Sequence, residues 1–314
     1  MSCKSTTFCC YDLIKKSRIL TGIEATKVLD NGASSSQNAV KSTDNDSLEL
    51  TDLSLSLKAL DLDKKNEKSS VEVIDTEAGM QDFVESLSDL PTIPPSLYID
   101  IEGVNLCRHG MISIIQVYVL PHDRTYLIDV FTLRDNAFVH MPSKKGTTFK
   151  DILESSDIPK VIFDVRTDSD ALYGLYNIHL SGAQDLQLME LATRPGRREF
   201  VSGLQNCIRN DASLTYEERT KWANSKQTGR SLFAPECGGS YEVFNERPIQ
   251  ERIIQYCAQD VQFLPMLWKV YDSKLRWPWH ERVKRETASR IHCSKSPDYV
   301  SKGRHLALAP PDWQ

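Results

Sequence analysis

Three strand-like runs follow one another closely near the middle of this chain, and they restrict its fold more than any other feature. Short polar turns separate the runs, which are LYIDI, MISIIQVYV and TYLIDVF. This spacing predicts an antiparallel meander. Beyond it, the apolar run VIFDV, a helix over about 168–177 and a short strand near 184–188 alternate. Such alternation predicts parallel additions to the same sheet, and hence a mixed α/β fold.

The first 70 residues differ in composition from the rest of the chain. From about Asn31 to Ser70 they are rich in Ser, Asp, Lys and Asn and poor in aromatic residues. Such a segment buries too little apolar surface to offset its ordering entropy, so residues 1–70 are predicted to form a disordered arm. Order is expected to begin at Val71, followed by a helix over about 77–90 with Thr76 as its N-cap.

Composition and cysteine usage exclude several classes of protein. A hydrophobic content of 40% and a charged content of 26% are typical of a soluble globular chain. No apolar run is long enough to span a bilayer, and the N-terminus lacks the sustained apolar core of a secretory signal. The eight cysteines include no CxxC pair, which favours reduced thiols. We therefore expect an intracellular protein, nuclear or cytoplasmic, that is not secreted and has no membrane partner.

Charge is distributed unevenly along the chain. Residues 1–90 carry 16 acidic against 10 basic residues, whereas the chain from Met266 onward carries 10 basic against 5 acidic residues. A basic end suits a polyanionic ligand, although a solvated surface helix and tail explain it equally well.

Acidic residues occur in three places where they could act together. Asp100 and Glu102 alternate along the first strand-like run and therefore project from one face of it. Gly103 follows directly and would let a substrate backbone approach closely. A solvated strand end is the alternative explanation of this pair.

The second place is the start of the predicted helix at about residue 168. Asp170 falls in its first turn, where the positive end of the helix favours a carboxylate. Asp168 is equally acidic and only two residues away. On the residues alone, either could be functional, and ordinary charge complementarity at a helix N-terminus explains both.

The third place is the amphipathic helix that contains IIQYCAQDV. Tyr256 and Asp260 lie four residues apart, one turn apart on one face of it. Asp260 falls against the apolar stripe, and an aspartate there needs a partner or a metal. Pro265 is expected to split the helix just after this residue.

Convergence of these acids would suggest a specific chemistry. Uncompensated carboxylates repel one another, and divalent cations relieve that repulsion while also binding phosphate. Two such ions, Mg²⁺ or Mn²⁺, about 4 Å apart would stabilise the attacking and leaving oxygens of phosphodiester hydrolysis.

The three motifs together resemble a known family. LYIDIEGVNLCRHGMISIIQV, VIFDVRTDSDALYGLYNI and IIQYCAQDVQFLPML are similar, in that order, to the motifs of the 3′–5′ exonuclease superfamily with a tyrosine in its third motif. That superfamily includes RNase D, the Werner-type exonuclease and polymerase proofreading domains. The similarity looks greatest to stand-alone fungal exonuclease-domain proteins.

The resemblance implies an RNase H-like core, a mixed five-stranded sheet flanked by helices. It implies an exonuclease domain over residues 71–282, and the charge count then predicts a basic C-terminal tail over residues 283–314. Asp100, Glu102 and Asp260 would hold the first metal, and Asp100 would bridge to the second. Asp170, chosen over Asp168 by the family pattern, would support the second metal through water. Tyr256 would position the attacking water.

The resemblance also suggests substrate contacts. Val104, Asn105 and Leu106 would lie beside the terminal nucleotide, after Gly103. Arg166 would contact a phosphate or pair with a neighbouring acid. Lys226 belongs to a basic and aromatic stretch that borders the substrate groove in related folds, although a solvated helix is the simpler explanation.

The sequence therefore predicts a metal-dependent 3′–5′ exonuclease. It would act on single-stranded RNA or DNA and release nucleoside monophosphates from 3′ ends. The alternative is an exonuclease-fold RNA-binding adaptor with weak or no catalysis, and protein partners are not predicted.

Overall fold

A computed structural model of the protein describes residues 71–139 and 146–313. The arm predicted over residues 1–70 lies outside the described residues. No helix among the described residues combines the length and the apolar character needed to cross a bilayer.

A six-stranded mixed sheet forms the centre of the domain. In chain order its strands are β1 (Val71–Ile74), β2 (Leu97–Glu102), β3 (Ile114–Val119), β4 (Arg124–Ile128), β5 (Lys160–Ile162) and β6 (Ala183–Asp185). Their order across the sheet is β1-β4-β3-β2-β5-β6. The predicted meander is present, because β2 pairs antiparallel with β3 and β3 pairs antiparallel with β4. The predicted parallel additions are also present as β5 beside β2 and β6 beside β5.

The sheet has one strand more than the five that were predicted. The segment VEVI, expected only as the start of the ordered domain, forms β1 and pairs parallel with β4 at the sheet edge. With four residues, β1 is too short for its alternation to identify it as a strand, so its pairing with β4 decides its conformation.

Helices cover the sheet. In chain order they are α1 (Glu77–Ser86), α2 (Val130–Leu133), α3 (Asn136–Val139), α4 (Phe149–Glu154), α5 (Val165–Tyr176), α6 (Leu186–Thr193), α7 (Leu204–Asp211), α8 (Tyr216–Phe233), α9 (Glu251–Gln262), α10 (Leu264–Lys274) and α11 (Trp279–Ser294). Short 3₁₀ helices lie at Leu120–His122, Pro235–Cys237, Tyr241–Asn245, Arg304–Ala307 and Pro311–Trp313. The Thr76 side chain caps α1 as predicted. The long third-motif helix is divided as expected: α9 ends at Gln262, and Pro265 lies in the first turn of α10.

Alternation along β2 directs its side chains into two separate cores. Leu97, Ile99 and Ile101 belong to the cluster that includes α1 and α4. Tyr98 belongs to the opposite cluster, which includes α6 and α10. Asp100 and Glu102 therefore share the face of Tyr98, the side against which α9 packs.

The C-terminal residues are part of the domain rather than a separate tail. The predicted boundary at residue 282 falls inside α11, which packs against α5, α6 and β6. Arg290 of this helix is buried and forms an ion pair with the buried Asp185 at 2.7 Å. The prediction of a tail over residues 283–314 was wrong for the helix, because its basic residues suggested a solvated surface while one of them neutralises an acid in the core.

A buried lysine also lies in this half of the sheet. Lys160 is fully buried, and its Nζ donates to the carbonyl oxygens of Ile152 at 2.8 Å and Ser155 at 2.6 Å. Burial lowers the pKa of Lys160 to about 7. The folded protein therefore binds this proton less tightly than the unfolded chain does.

We expect the titration of Lys160 to make the free energy of unfolding rise with pH. Between about pH 7 and pH 10 the unfolded chain holds the proton that folded Lys160 has released, so the slope approaches about 1.4 kcal/mol per pH unit. Urea denaturation of the parent and of Lys160→Met between pH 7 and 9 measures the difference. The parent should gain stability relative to the variant as pH rises, whereas Lys269→Met, a change at an exposed lysine, should leave the slope intact.

Candidate functional site

Two elements bring three carboxylates together. Asp100 and Glu102 project from one face of β2, and Asp260 projects from the face of α9 that packs on the sheet. One oxygen from each of the three carboxylates lies within 4.8 Å of the others. We call these three residues the acidic cluster. Alternation along β2 and the apolar stripe of α9 thus bring these three side chains together, and their role in the reaction stays a prediction.

Tyr256 lies beside the acidic cluster, one turn before Asp260 on α9. Its side chain is buried and its hydroxyl hydrogen-bonds the Glu102 carboxylate. Its ring packs against Phe233 and Phe244, with centroids 5.0 Å and 6.4 Å away. The aromatic contacts hold the ring, so the hydroxyl has a fixed direction toward the acids.

Crowding of like charges changes the protonation of the cluster. Desolvation, followed by repulsion from Asp260, raises the pKa of Asp100 to about 7. The pKa of Glu102 is also raised, first by desolvation and then by Asp100, and the hydrogen bond from Tyr256 only partly opposes this. Such a site favours a bound positive charge.

The donor set fits a hard divalent cation. Carboxylate oxygens are the ligands that Mg²⁺ and Mn²⁺ prefer, and three of them converge here without a cysteine or histidine among them. Asp100, Glu102 and Asp260 are therefore the residues that would hold such an ion.

Asp170 is not a member of the acidic cluster. Its buried carboxylate accepts hydrogen bonds from the backbone N–H of Arg108 at 3.0 Å and from Arg108 Nε at 2.5 Å. Arg108 in turn donates through Nη2 to the carbonyl oxygen of Ser294. The predicted assignment of Asp170 to the second metal is therefore corrected, because this carboxylate is neutralised by Arg108.

Asp168 has the environment that was predicted for Asp170. It is buried, and its pKa is raised well above the usual range, first by desolvation and then by the charge of Asp100, with Glu102 also contributing. Two residues along a helix correspond to a rotation of about 200°, so Asp168 and Asp170 point in nearly opposite directions. The structure thus relates Asp168, rather than Asp170, to the acidic cluster.

The loop after β2 contains four of the predicted substrate residues. Val104 and Leu106 are half-buried, and Asn105 is exposed with a positive φ of 50°. Gly103 is buried, and a Cβ there would lie 2.0 Å from the carbonyl oxygen of Met111. The loop's own backbone therefore requires this glycine, and the approach of a substrate at Gly103 stays a prediction.

Arg166 is engaged inside the domain. It forms a two-pronged ion pair with Asp164, at 2.6 Å and 2.7 Å, and donates to the carbonyl oxygen of Leu306 at 2.8 Å. Of the two predicted roles, pairing with a neighbouring acid is the one observed. Its assignment as a substrate contact is corrected for that reason.

Lys226 lies against the acidic cluster. Its ammonium group, on α8, contacts both carboxylate oxygens of Asp260 and the Tyr256 hydroxyl at 3.2 Å. The family resemblance suggested that Lys226 borders a substrate groove, but no local pattern indicated this ion pair, which joins residues 34 positions apart.

Sequence reasoning also missed Gly229, on the same helix. It is buried, and a Cβ at this position would lie 2.4 Å from Cδ2 of the Tyr256 ring. A glycine inside a helix lowers helix stability by about 1 kcal/mol relative to alanine. Its presence in the helical pattern of α8 was therefore a signal of close packing at this position. Because Gly229 has no side chain, α8 packs directly on the Tyr256 ring.

We expect Gly229→Ala to lower both stability and activity, although alanine is the better helix former. The added methyl group must displace α8 or the Tyr256 ring, at a cost of about 1–3 kcal/mol. Thermal unfolding and turnover measure the effect. Asn224→Ala on the exposed side of α8 is the control, and an equally stable or more stable Gly229→Ala protein would contradict the packing argument.

Comparisons with solved structures agree with this fold. RNase D of Trypanosoma brucei in complex with GMP aligns with a TM-score of 0.60 and 24% identity, covering 77% of this chain and 70% of that one. The same protein in complex with RNA U12 aligns with a TM-score of 0.61 and 23% identity, covering 78% of each chain. At these identities the likeness concerns the fold.

Sequence comparison points in the same direction. The piRNA biogenesis protein EXD1 of Mus musculus is 37% identical over 112 residues, which is 36% of this chain and 18% of the mouse protein. The match therefore spans less than a fifth of that relative. The family model for the 3′-5′ exonuclease domain matches residues 71–276, about two thirds of the chain. With the sheet order, the acidic cluster and this match in agreement, the chain belongs to the 3′-5′ exonuclease family.

Proposed function

We propose that this protein is a divalent-metal-dependent 3′–5′ exonuclease acting on single-stranded nucleic acid. The observation that carries the proposal is the acidic cluster, in which Asp100, Glu102 and Asp260 lie within 4.8 Å of one another beside Tyr256. Membership of the family supports the reaction class, and the RNA-bound RNase D of similar fold supports a nucleic-acid substrate.

Each residue has a role that its position suggests. Asp100, Glu102 and Asp260 would hold the cations, which when bound supply Lewis-acid stabilisation of the phosphodiester oxygens. Tyr256, fixed by Phe233 and Phe244, would orient the attacking water through its hydroxyl. The half-buried Leu106, in the loop after β2, would lie against the terminal base.

We further propose Asp168 as the second-motif carboxylate of the reaction. Asp168→Asn should reduce hydrolysis by about a hundredfold or more without lowering stability, because it removes a buried charge that has like-charged neighbours. Asp170→Asn should instead destabilise the fold by about 1–3 kcal/mol, because Arg108 loses a charged partner, and it should retain most of the turnover. Parallel activity and unfolding measurements test both. The reverse pattern would restore Asp170 as the functional residue.

The experiment that tests the function uses matched RNA and DNA strands labelled at the 5′ end. Each is supplied with a free or a blocked 3′ end and incubated with Mg²⁺, Mn²⁺ or EDTA. Stepwise shortening from the free 3′ end only, dependent on metal and lost in Asp260→Asn, is the expected result. Equal shortening of blocked strands, or activity in EDTA, would contradict the proposal.

A second candidate function is nucleic-acid binding without turnover. It is favoured by the Lys226 ion pair, which occupies the carboxylate of Asp260, and by the match to a protein of piRNA biogenesis. The same assay separates the two functions. Tight binding of the strands with no product under any metal would support the second.

A further inference from the structure

Lys226 is held beside the acidic cluster by contacts with both Asp260 and Tyr256. Its Nζ lies 2.6 Å from Oδ2 of Asp260, also contacts Oδ1, and lies 4.2 Å from the centre of the Tyr256 ring. The exposed fraction of the side chain is 13% for Lys226 and 4% for Asp260. This is therefore a desolvated ion pair rather than a surface contact.

The position of Lys226 is set by the packing of α8 on α9. Gly229 lies three residues further along α8, and its missing side chain lets the helix lie directly on Tyr256. Trp222, one turn before Lys226, is buried in the core on the same helix. Contacts on both sides thus fix the helix from which the ammonium group reaches Asp260.

Lys226 supplies positive charge to the acidic cluster. Its charge acts on Asp100 and Glu102 as well, partly opposing the rise in their pKa values. Two arginines near these motifs are engaged elsewhere: Arg108, in the loop after β2, pairs with Asp170, and Arg166, on α5, pairs with Asp164. In the part of the chain that the structure describes, Lys226 is the cation seen bonded to a member of the cluster.

Lys226 and a divalent ion would require the same oxygens. Both carboxylate oxygens of Asp260 accept from the ammonium group, so an ion bound by Asp100, Glu102 and Asp260 would compete for them. The ion and the ammonium group also repel each other at such short separation. Both effects disfavour simultaneous binding of the ion and the ammonium group at Asp260.

We propose that Lys226 is a positioning residue that neutralises Asp260 until a divalent cation displaces it, and that the displaced ammonium group then binds the phosphate backbone of the nucleic acid. This inference rests on the proposed function and specifies how its site is loaded. Metal binding and substrate binding are coupled through one side chain, which changes partner from a carboxylate to a phosphate.

Direct metal titration tests the first half of the inference. Isothermal calorimetry with Mg²⁺ or Mn²⁺, without nucleic acid, compares the parent with Lys226→Met, Lys226→Gln and Lys226→Arg. Removal of the competing charge should tighten metal binding by about tenfold or more in the Met and Gln variants. The Arg variant should bind like the parent. Lys221→Met, the loss of an exposed lysine on the same helix, is the charge-matched control and should also bind like the parent.

The second half is tested by binding a single strand with Ca²⁺ as the loading ion and in EDTA. The parent should bind more tightly with Ca²⁺, and Lys226→Met should lose about threefold or more of this gain, since one phosphate contact is missing. Lys221→Met should keep the parent's gain. If Lys226→Met binds the strand like the parent with Ca²⁺, the phosphate role is wrong.

The outcomes separate this inference from the proposed function. Parent-like or weaker metal binding in both neutral variants would overturn the competition while leaving the exonuclease assignment in place. Absence of divalent binding in the parent would instead overturn the metal dependence of the proposed function. Circular dichroism and thermal unfolding confirm that each variant is folded, and Lys226→Gln, which retains a hydrogen-bond donor, provides the readout if the Met variant does not fold.

Discussion

Asp100→Asn should abolish hydrolysis and at the same time stabilise the metal-free protein. The amide retains the shape of the side chain but cannot supply the charge that holds the cations, so turnover should fall by at least about a thousandfold. Single-turnover degradation of a labelled strand at saturating Mg²⁺ measures this loss.

The gain in stability has a defined pH dependence. The pKa of Asp100 is raised to about 7 in the folded protein, above its value of about 4 in the unfolded chain. The folded state therefore holds a proton that the unfolded chain releases, and the parent loses stability as pH rises from about 4 to about 7. Asp100→Asn removes this loss.

Chemical denaturation in EDTA at pH 5 and pH 8 checks the direction in which the free energy of unfolding changes with pH. The variant should exceed the parent in free energy of unfolding, and by more at pH 8 than at pH 5. Asp82→Asn, a change of an exposed acid on α1, is the matched control and should alter neither activity nor the pH profile. An active Asp100→Asn enzyme would remove the basis of the proposed function.

Arg290→Ala should destabilise the domain by about 3–5 kcal/mol. Asp185 is fully buried and accepts hydrogen bonds from the backbone N–H groups of Asp164 at 3.1 Å and Gln187 at 3.0 Å, as well as the ion pair from Arg290. Loss of the guanidinium leaves this carboxylate charged, buried and without its ionic partner. Urea denaturation measures the change in free energy of unfolding.

Two further variants distinguish the ion pair from a general effect of the helix. Arg285→Ala lies on α11 at an exposed position and should alter stability by no more than about 0.5 kcal/mol. Asp185→Asn combined with Arg290→Ala should recover part of the loss, because the uncompensated charge is then absent. A double variant less stable than Arg290→Ala alone would show that hydrogen bonding by Asp185 outweighs its charge.

Local periodicity was sufficient to predict which face of each element carries the acidic residues. Alternation along β2 places Asp100 and Glu102 on one face, and the helical repeat of α9 places Asp260 one turn from Tyr256. The meander and the parallel additions followed from the spacing of apolar runs. In these cases the signal is a repeat or a spacing among neighbouring residues, so it can be recognised without knowing any tertiary contact.

The second-motif carboxylate could not be chosen in this way. Asp168 and Asp170 are equally acidic and both lie near the start of α5, and what separates them is Arg108, 62 residues before Asp170. A partner at that distance along the chain has no local signature. The same reason explains why the Lys226–Asp260 pair and the burial of Arg290 were not predicted.

Strand β1 and the C-terminal helix illustrate a second limit. Four residues are too few to show alternation, and basic residues on α11 suggest solvent although Arg290 is in the core. In both cases a tertiary contact, the edge of β4 or the carboxylate of Asp185, determines the conformation or the burial.

The contacts of α11 have a practical meaning for where this domain ends. The match to the family model ends at residue 276. A fragment that ends there would lose Arg290, which pairs with Asp185, and the Ser294 carbonyl oxygen, which accepts a hydrogen bond from Arg108. Arg108 lies in the loop that follows β2. The contact of α11 with Arg108 therefore stabilises the segment next to the acidic cluster. We therefore expect a fragment that folds on its own to extend past residue 276 and to include α11.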